Sequence, residues 1–355
     1  MNTFCTRFFK EIYTSNDGFW APCCYSKISN LNIFNTSIED WYNSDILTKL
    51  RKGDETLFKE YCSHCLKMEK NNEFSPRSKL IKGKQKQDMQ KSKIMLKLKF
   101  FEDRCNLACF MCKERNSALR KKDLKKLPQF KHYFKSDIKE LKLKEIDYVT
   151  STKNMINKIY TIKLTGGEPS IIPLVFNYLD KIKHIVSNID LQIQTNMMEI
   201  EKLEKYFPYF KKVYLKASID GIGEKNEYLR KRSNWNKIIT NIKKYHKKDN
   251  IIVDIEPCFT LFNVNDIDKI VNYFKYMDIT VNLDNFLHDP YFISYKNLPL
   301  ELNKTEYKGI ETEISKQHFI TAVEYMLKLD KIYDDNFQEI FPEYYKYYKY
   351  YKRSK

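Results

Sequence analysis

Six short runs rich in apolar and β-branched residues recur along the chain, separated by longer stretches of helical periodicity. They are residues 95–100 (MLKLKF), 160–166 (YTIKLTG), 190–196 (DLQIQTN), 212–220 (KVYLKASID), 251–259 (IIVDIEPCF) and 279–286 (ITVNLDNF). Between them lie PLVFNYLDKIKHIVSN, with apolar residues three and four apart, and DIDKIVNYFKYM, which opens on an acidic cap. Strand, helix, strand repeated in this way demands right-handed parallel crossovers. The expected class is therefore α/β, either an open doubly wound sheet or a barrel, with its chemistry at the strand ends, several of which finish in polar or glycine residues.

The chain has 355 residues, 42% of them hydrophobic and 15% aromatic, enough to bury a substantial core. Residues 80–93 (LIKGKQKQDMQKSK) are highly charged and lack periodicity, and they read as a linker. The expected organisation is a cysteine-rich module over 1–80, a linker over 81–93, a barrel over 94–290 and a helical extension over 291–355. In that extension HFITAVEYMLKLDKIY reads as an amphipathic helix, and FPEYYKYYKYYKRSK as a frayed, solvated tail.

The stretch CNLACFMC, residues 105–112, places three of the nine cysteines within eight residues just after the first run. A disulfide uses two thiols and a tetrahedral zinc site four ligands, so three thiols with no fourth nearby leave a coordination position open. A 4Fe-4S cluster accepts one thiolate per iron, and three cysteines would leave one iron free to bind a small molecule. Zinc with a distant fourth ligand is the competing reading.

Three further motifs follow in order. LTGGEPSI (164–171) ends the second run with paired glycines, which allow close backbone approach, and a carboxylate able to accept from an ammonium group. TNM (195–197) ends the third. KASIDGIGEKNEYLR (216–230) ends the fourth, with Ser218 and Asp220 suited to sugar hydroxyls and Arg230 to a carboxylate.

Together, C-x3-C-x2-C after a first strand, GGEP one βα unit later and S-x-D-G followed by Arg resemble the signature of the radical S-adenosylmethionine superfamily. The resemblance implies a partial (βα)6 TIM-like barrel, with Cys105, Cys109 and Cys112 holding a 4Fe-4S cluster whose free iron chelates S-adenosylmethionine. It implies one-electron cleavage of that molecule to a 5'-deoxyadenosyl radical, which abstracts hydrogen from a substrate. Gly166, Gly167 and Glu168 match the family's motif for the amino group, and Asn196, Ser218, Asp220 and Arg230 fall at positions near the cofactor. Met111 stands where the family often has an aromatic residue against adenine, a role its polarisable sulfur can share. No catalytic acid or base is nominated.

The N-terminal cysteines have their own pattern: Cys5, the pair Cys23 and Cys24, then Cys62 and Cys65. They resemble the auxiliary-cluster twitch module, half of a SPASM domain. On that likeness Cys5, Cys23, Cys62 and Cys65 would hold a second iron-sulfur cluster, with Cys24 as the alternative to Cys23. A four-thiolate zinc site would use the same ligands, and metal would fold a region whose own apolar core looks small. His64 in C-S-H-C is expected exposed, His184 and His288 show no readable partner, and Cys258 reads as an ordinary buried thiol or one facing the barrel interior beside Glu256.

Auxiliary-cluster relatives often act on peptides or proteins, so such a substrate is expected, with a flavodoxin or ferredoxin as reductant. The formal charge of +17 also admits a nucleic-acid partner, either as substrate of an RNA-modifying radical enzyme or for a non-catalytic, metal-stabilised binding protein. Yet the lysines are spread along the chain beside only eight glycines, a usage that a biased genome also produces, so nucleic acid is not favoured. No run is long and apolar enough to cross a bilayer, and the first residues lack the apolar centre of a signal peptide. A cytoplasmic location is expected.

Overall fold

The computed structural model describes residues 2–15, 18–71, 75–81, 93–100, 103–134, 148–305 and 313–353. Most of the expected linker lies outside them. Seven strands form one sheet: β1 (Glu11–Thr14), β2 (Trp20–Ala21), β3 (Ile94–Lys99), β4 (Ile159–Thr165), β5 (Asp190–Thr195), β6 (Val213–Ala217) and β7 (Ile251–Ile255), in the order β2-β1-β3-β4-β5-β6-β7. β1 and β2 pair antiparallel, whereas β1–β3, β3–β4 and β4–β5 are parallel. The α/β class and a largely parallel sheet are therefore as expected.

Strands β3, β5, β6 and β7 each bury one face. Ile94, Leu96 and Leu98 of β3, Leu191 and Ile193 of β5, Val213, Leu215 and Ala217 of β6, and Ile251, Val253 and Ile255 of β7 are buried. Lys97, Lys99, Gln192, Gln194, Lys216 and Asp254 alternate with them and stay half-buried. The period of two separates an apolar packing face from a polar one. Helices cover the apolar face; Pro173–Ile182 buries Val175, Tyr178, Leu179 and Ile182.

By compactness the chain divides into one unit of Met1–Glu102, Ile138–Ile193 and Leu203–Val213 and a second of Asp103–Asp137, Gln194–Lys202 and Tyr214–Lys355. In the first, β1 of the N-terminal segment lies beside β3 in register, Ile12 opposite Leu96. The segment's apolar core is larger than expected. Phe8, Trp20, Ile38, Trp41, Leu47, Leu50 and Phe58 are at most 1% exposed, and Trp20 stacks on Trp41 at 6.4 Å.

Three expectations in the second unit need correction. The sixth run is no strand, only isolated parallel bridges at Ile255–Val281 and Phe259–Phe286. Asn282 bonds locally to the Asp284 amide, Asn285 turns to the Pro257 carbonyl, and Pro257 has no N–H for a ladder. Asp266 makes no side-chain cap for Ile267–Lys275, because its carboxylate is drawn to Lys225 and Lys269. The final segment is not frayed: Pro342–Arg353 is a helix with Tyr344 and Tyr351 buried, and the Tyr344 hydroxyl donates to the Leu261 carbonyl at 3.0 Å.

Candidate active site

The cysteine loop is held by its backbone. Ala108 N–H donates to Lys231 O and Phe110 N–H to Leu229 O, so the loop is pinned on both sides of Arg230. Ser117 Oγ donates to Leu107 O at 2.7 Å, Arg120 Nε to Cys112 O at 3.3 Å and Tyr325 Oη to Phe110 O at 2.7 Å. Buried main-chain groups must find partners; within the loop one thiol serves as such, the Leu107 amide donating to Cys105 Sγ at 3.4 Å. Cys109 is buried, Cys105 and Cys112 half-buried. Cys109 shares a hydrogen bond with Cys112 that raises its own pKa well above the usual thiol range and lowers that of Cys112. Met111 is 8% exposed.

Arg230 and Asp220 meet this loop. Nη1 of Arg230 lies 3.7 Å from the Cys109 sulfur, and its Nε lies 2.8 Å from Asp220 Oδ2, an ion pair without in-line hydrogen-bond geometry. Burial would lower the Arg230 pKa, but Asp220 and Cys109 outweigh it and raise it. Asp220 is 0% exposed. Its Oδ1 accepts from the Cys258 amide at 2.7 Å, and its own amide donates to Asn226 Oδ1 at 3.0 Å. Cys258 is half-buried, and burial, then Asp220, pushes its thiol up to about 12.

Two more expected residues are engaged from strand ends in the same unit. Asn196 Nδ2 donates to Asn106 Oδ1, inside the cysteine loop, at 2.7 Å. Ser218 Oγ accepts from Gln194 Nε2 at 2.9 Å. The motifs did not point to Asn106, Gln194, Arg120 or Tyr325, whose roles depend on distant partners. Arg120 has a fully buried side chain; burial pushes its pKa down to about 10, opposed by Asp123 and Cys112.

In the other unit, Gly166 adopts φ +143°, and a Cβ there would stand 3.3 Å from the Phe100 carbonyl oxygen. Only glycine suits that backbone. Gly167 follows, and Glu168, 1% exposed, caps the turn Pro169–Ile171 by accepting from Ser170 N and Oγ at 3.3 and 2.8 Å.

Cys5, Cys23, Cys62 and Cys65 line one small cavity with Arg7, Tyr25 and Arg77 among its walls, whereas Cys24 is exposed and outside it. Backbone amides of Arg7, Tyr25 and Arg77 donate to the sulfurs of Cys5, Cys23 and Cys65. Burial pushes Cys5 up to about 11 and Cys62 to about 12. His64 is half-buried and stacks on Tyr25 at 5.6 Å rather than standing exposed. His184 packs edge-on to Tyr209 and His288 to Tyr295.

Among the described residues, no three His, Cys, Asp or Glu side chains are grouped as ligands of one metal ion. Each thiolate of a 4Fe-4S cluster binds a different iron, so such sulfurs stand farther apart than those around one zinc, whose bonds are about 2.3 Å. Donor sets made of thiols alone suit iron-sulfur or zinc rather than a hard cation.

The model of the Radical SAM superfamily matches residues 101–274. The superfamily implies a 4Fe-4S cluster and S-adenosylmethionine, and the thiol loop offers donors of the right kind for such a cluster. Solved structures similar to the chain include hexahistidine-tagged anSMEcpe with bound AdoMet, at 18% identity and TM-score 0.41 over 68% of this chain and 59% of that one. Native anSMEcpe with bound AdoMet and Cp18Cys peptide matches at 19% identity and TM-score 0.40, over 68% and 61%. The chain thus spans about three-fifths of the length of these neighbours. No curated protein matches it. Among the described residues no helix is long and apolar enough to cross a membrane.

Proposed function

We propose that this radical SAM protein reductively cleaves S-adenosylmethionine and uses the product radical on a peptide or protein substrate. Cys105, Cys109 and Cys112 hold the cluster, and one iron has no protein ligand. When bound, the cluster and S-adenosylmethionine supply a one-electron cleavage that yields a 5'-deoxyadenosyl radical. The chain's own residues hold and orient. Arg230, with Asp220 at its back, sets a fixed cation against Cys109 and favours the thiolate form. Asn196 steadies Asn106 of the loop, Ser218 offers a hydroxyl at the end of β6, and Met111 offers its polarisable sulfur to adenine. Gly166, Gly167 and Glu168 serve the amino group, Gly166 by the backbone shape no other residue suits.

The observation that carries this reading is the cysteine loop itself, which presents three thiols within eight residues on a main chain anchored at Leu229 and Lys231. Cys5, Cys23, Cys62 and Cys65 hold a second cluster, a role supported by their common cavity. Anaerobic reconstitution should load about eight irons per chain if both sites carry 4Fe-4S. Dithionite should then release 5'-deoxyadenosine from S-adenosylmethionine, and Cys109→Ala should abolish that release. A fully loaded protein that forms none would refute the proposal. Pull-down with the loaded protein then tests the substrate class, RNA being the outcome that overturns the peptide reading.

A further inference from the structure

Arg120 is a buried charge whose neighbours leave it only partly satisfied. It lies on the helix Ala118–Lys125 with its side chain 0% exposed. Nε donates to the Cys112 carbonyl at 3.3 Å, but Nη1 and Nη2 have no hydrogen-bond acceptor among the described residues. Asp123 stands 4.0 Å from Nη1 and accepts the Tyr333 hydroxyl at 2.5 Å. Aromatic rings hold the guanidinium in place, with Phe134 at 4.8 Å and Tyr325 at 5.2 Å from its carbon. Tyr325 also donates to the Phe110 carbonyl. One residue of the long helix Glu313–Tyr333 thus touches both the cysteine loop and the arginine behind it.

A buried cation with idle donors is rare unless something charged repays its desolvation. Besides Asp123 and Tyr333, the groups within electrostatic reach are the sulfurs of Cys112 and Cys109. Those sulfurs are the ligands proposed above for a cluster, and a cluster gains a negative charge on reduction. Net charge and burial are among the factors that set such a potential. A fixed cation in a poorly polarisable surrounding favours the more negative state.

We propose that Arg120 is a positioning residue for the triad cluster: its fixed charge, clamped between Phe134 and Tyr325, raises the reduction potential of a cluster bound by Cys109 and Cys112. This rests on the functional reading above. It extends that reading to a residue that no motif marks, held by a helix that lies outside the matched domain.

The test is a redox titration of the reconstituted holoprotein followed by electron paramagnetic resonance. Added S-adenosylmethionine identifies the triad signal by perturbing it. In Arg120→Met, at the poise where the wild-type triad is half reduced, the ratio of reduced to oxidised cluster should fall about tenfold, which for a one-electron couple is 59 mV. Arg120→Lys keeps the charge and should keep most of the potential. Asp123→Asn leaves Arg120 in place without its carboxylate and should shift the midpoint upward; it decides the matter if Arg120→Met does not fold. An unmoved midpoint in Arg120→Met, an equal fall in Arg120→Lys, or no upward shift in Asp123→Asn would overturn the proposal, even if melting temperatures drop. If no signal responds to S-adenosylmethionine, the underlying functional reading falls and this inference falls with it. A normal 5'-deoxyadenosine yield with unshifted midpoints defeats the inference alone.

Discussion

The Arg230 guanidinium lies 3.7 Å from the sulfur of Cys109, although 121 residues separate the two in sequence. The contact joins two motifs that spacing alone could only set side by side. It also explains why the segment before Lys231 is built so firmly: Lys231 is 1% exposed, its Nζ pairs with Asp335 at 2.6 Å, and the Tyr228 hydroxyl donates to Asp330 at 2.6 Å.

Asp220→Asn keeps an acceptor for the Cys258 amide but strips Arg230 of its counter-charge. Breaking one side of a buried ion pair costs about 3–5 kcal/mol, so the unfolding free energy of the variant should fall by that amount, read as a lower urea midpoint at unchanged slope. A loss below about 1 kcal/mol, the range of exposed pairs, would show that the pair is incidental.

Gly166→Ala forces a side chain onto a positive φ and towards the Phe100 carbonyl. The expected loss is about 1–3 kcal/mol, read as a lower melting temperature. Affinity for S-adenosylmethionine should drop as well, because the neighbouring Glu168 would be displaced. An unaltered variant would mean that the loop relaxes freely.

The two adjacent cysteines near the N-terminus should behave differently. Cys23 lines the thiol cavity and Cys24 is exposed. Cys24→Ala should therefore retain the full iron complement, and Cys23→Ala should lose about four irons, the content of one 4Fe-4S cluster. Iron and sulfide analysis after reconstitution would expose the opposite pattern.

Glu11 bridges Arg7 and Lys97, with Arg7 Nη1 at 2.7 Å and Lys97 Nζ at 2.8 Å. Burial would raise its pKa, but Lys97 and Arg7 outweigh that and hold it below the usual carboxylate range. A depressed folded-state pKa stabilises above the unfolded value, about 4.3, and the benefit is lost as pH falls through the folded one. The gap in stability between wild type and Glu11→Gln should thus be constant from neutral pH down to about 5 and close in stronger acid. Unfolding curves across that range check it; a gap that widens on acidification would contradict the sign.

Much of the fold was legible because its signals are local. The alternation in IMLKLK, and in the runs that became β4 to β7, follows from a sheet with one buried face. The run at 279–286 carries a similar apolar pattern, but its partner strand stops at Ile255 before Pro257, which has no amide hydrogen, and its own Asn side chains take up the backbone. Periodicity cannot register what the neighbouring strand offers. The Tyr-rich end eludes composition for a related reason. Its solvated composition hides two tyrosines, Tyr344 and Tyr351, seven residues apart, that become core only once Leu261, Phe319 and Glu301 are placed.

The sequence by itself determined the order and spacing of the cysteine triad, the glycine pair with its glutamate and the serine–aspartate turn, because each is a short segment whose chemistry lies in adjacent residues. Tertiary structure alone decided that Glu11–Thr14 joins the sheet beside β3, that Cys23 rather than Cys24 faces the other three thiols, and that Arg120 is sealed behind the loop by Phe134 and Tyr325. Each of these depends on which distant side chain excludes water from a charge or a sulfur, and exclusion of water is a property of packing that no linear spacing records.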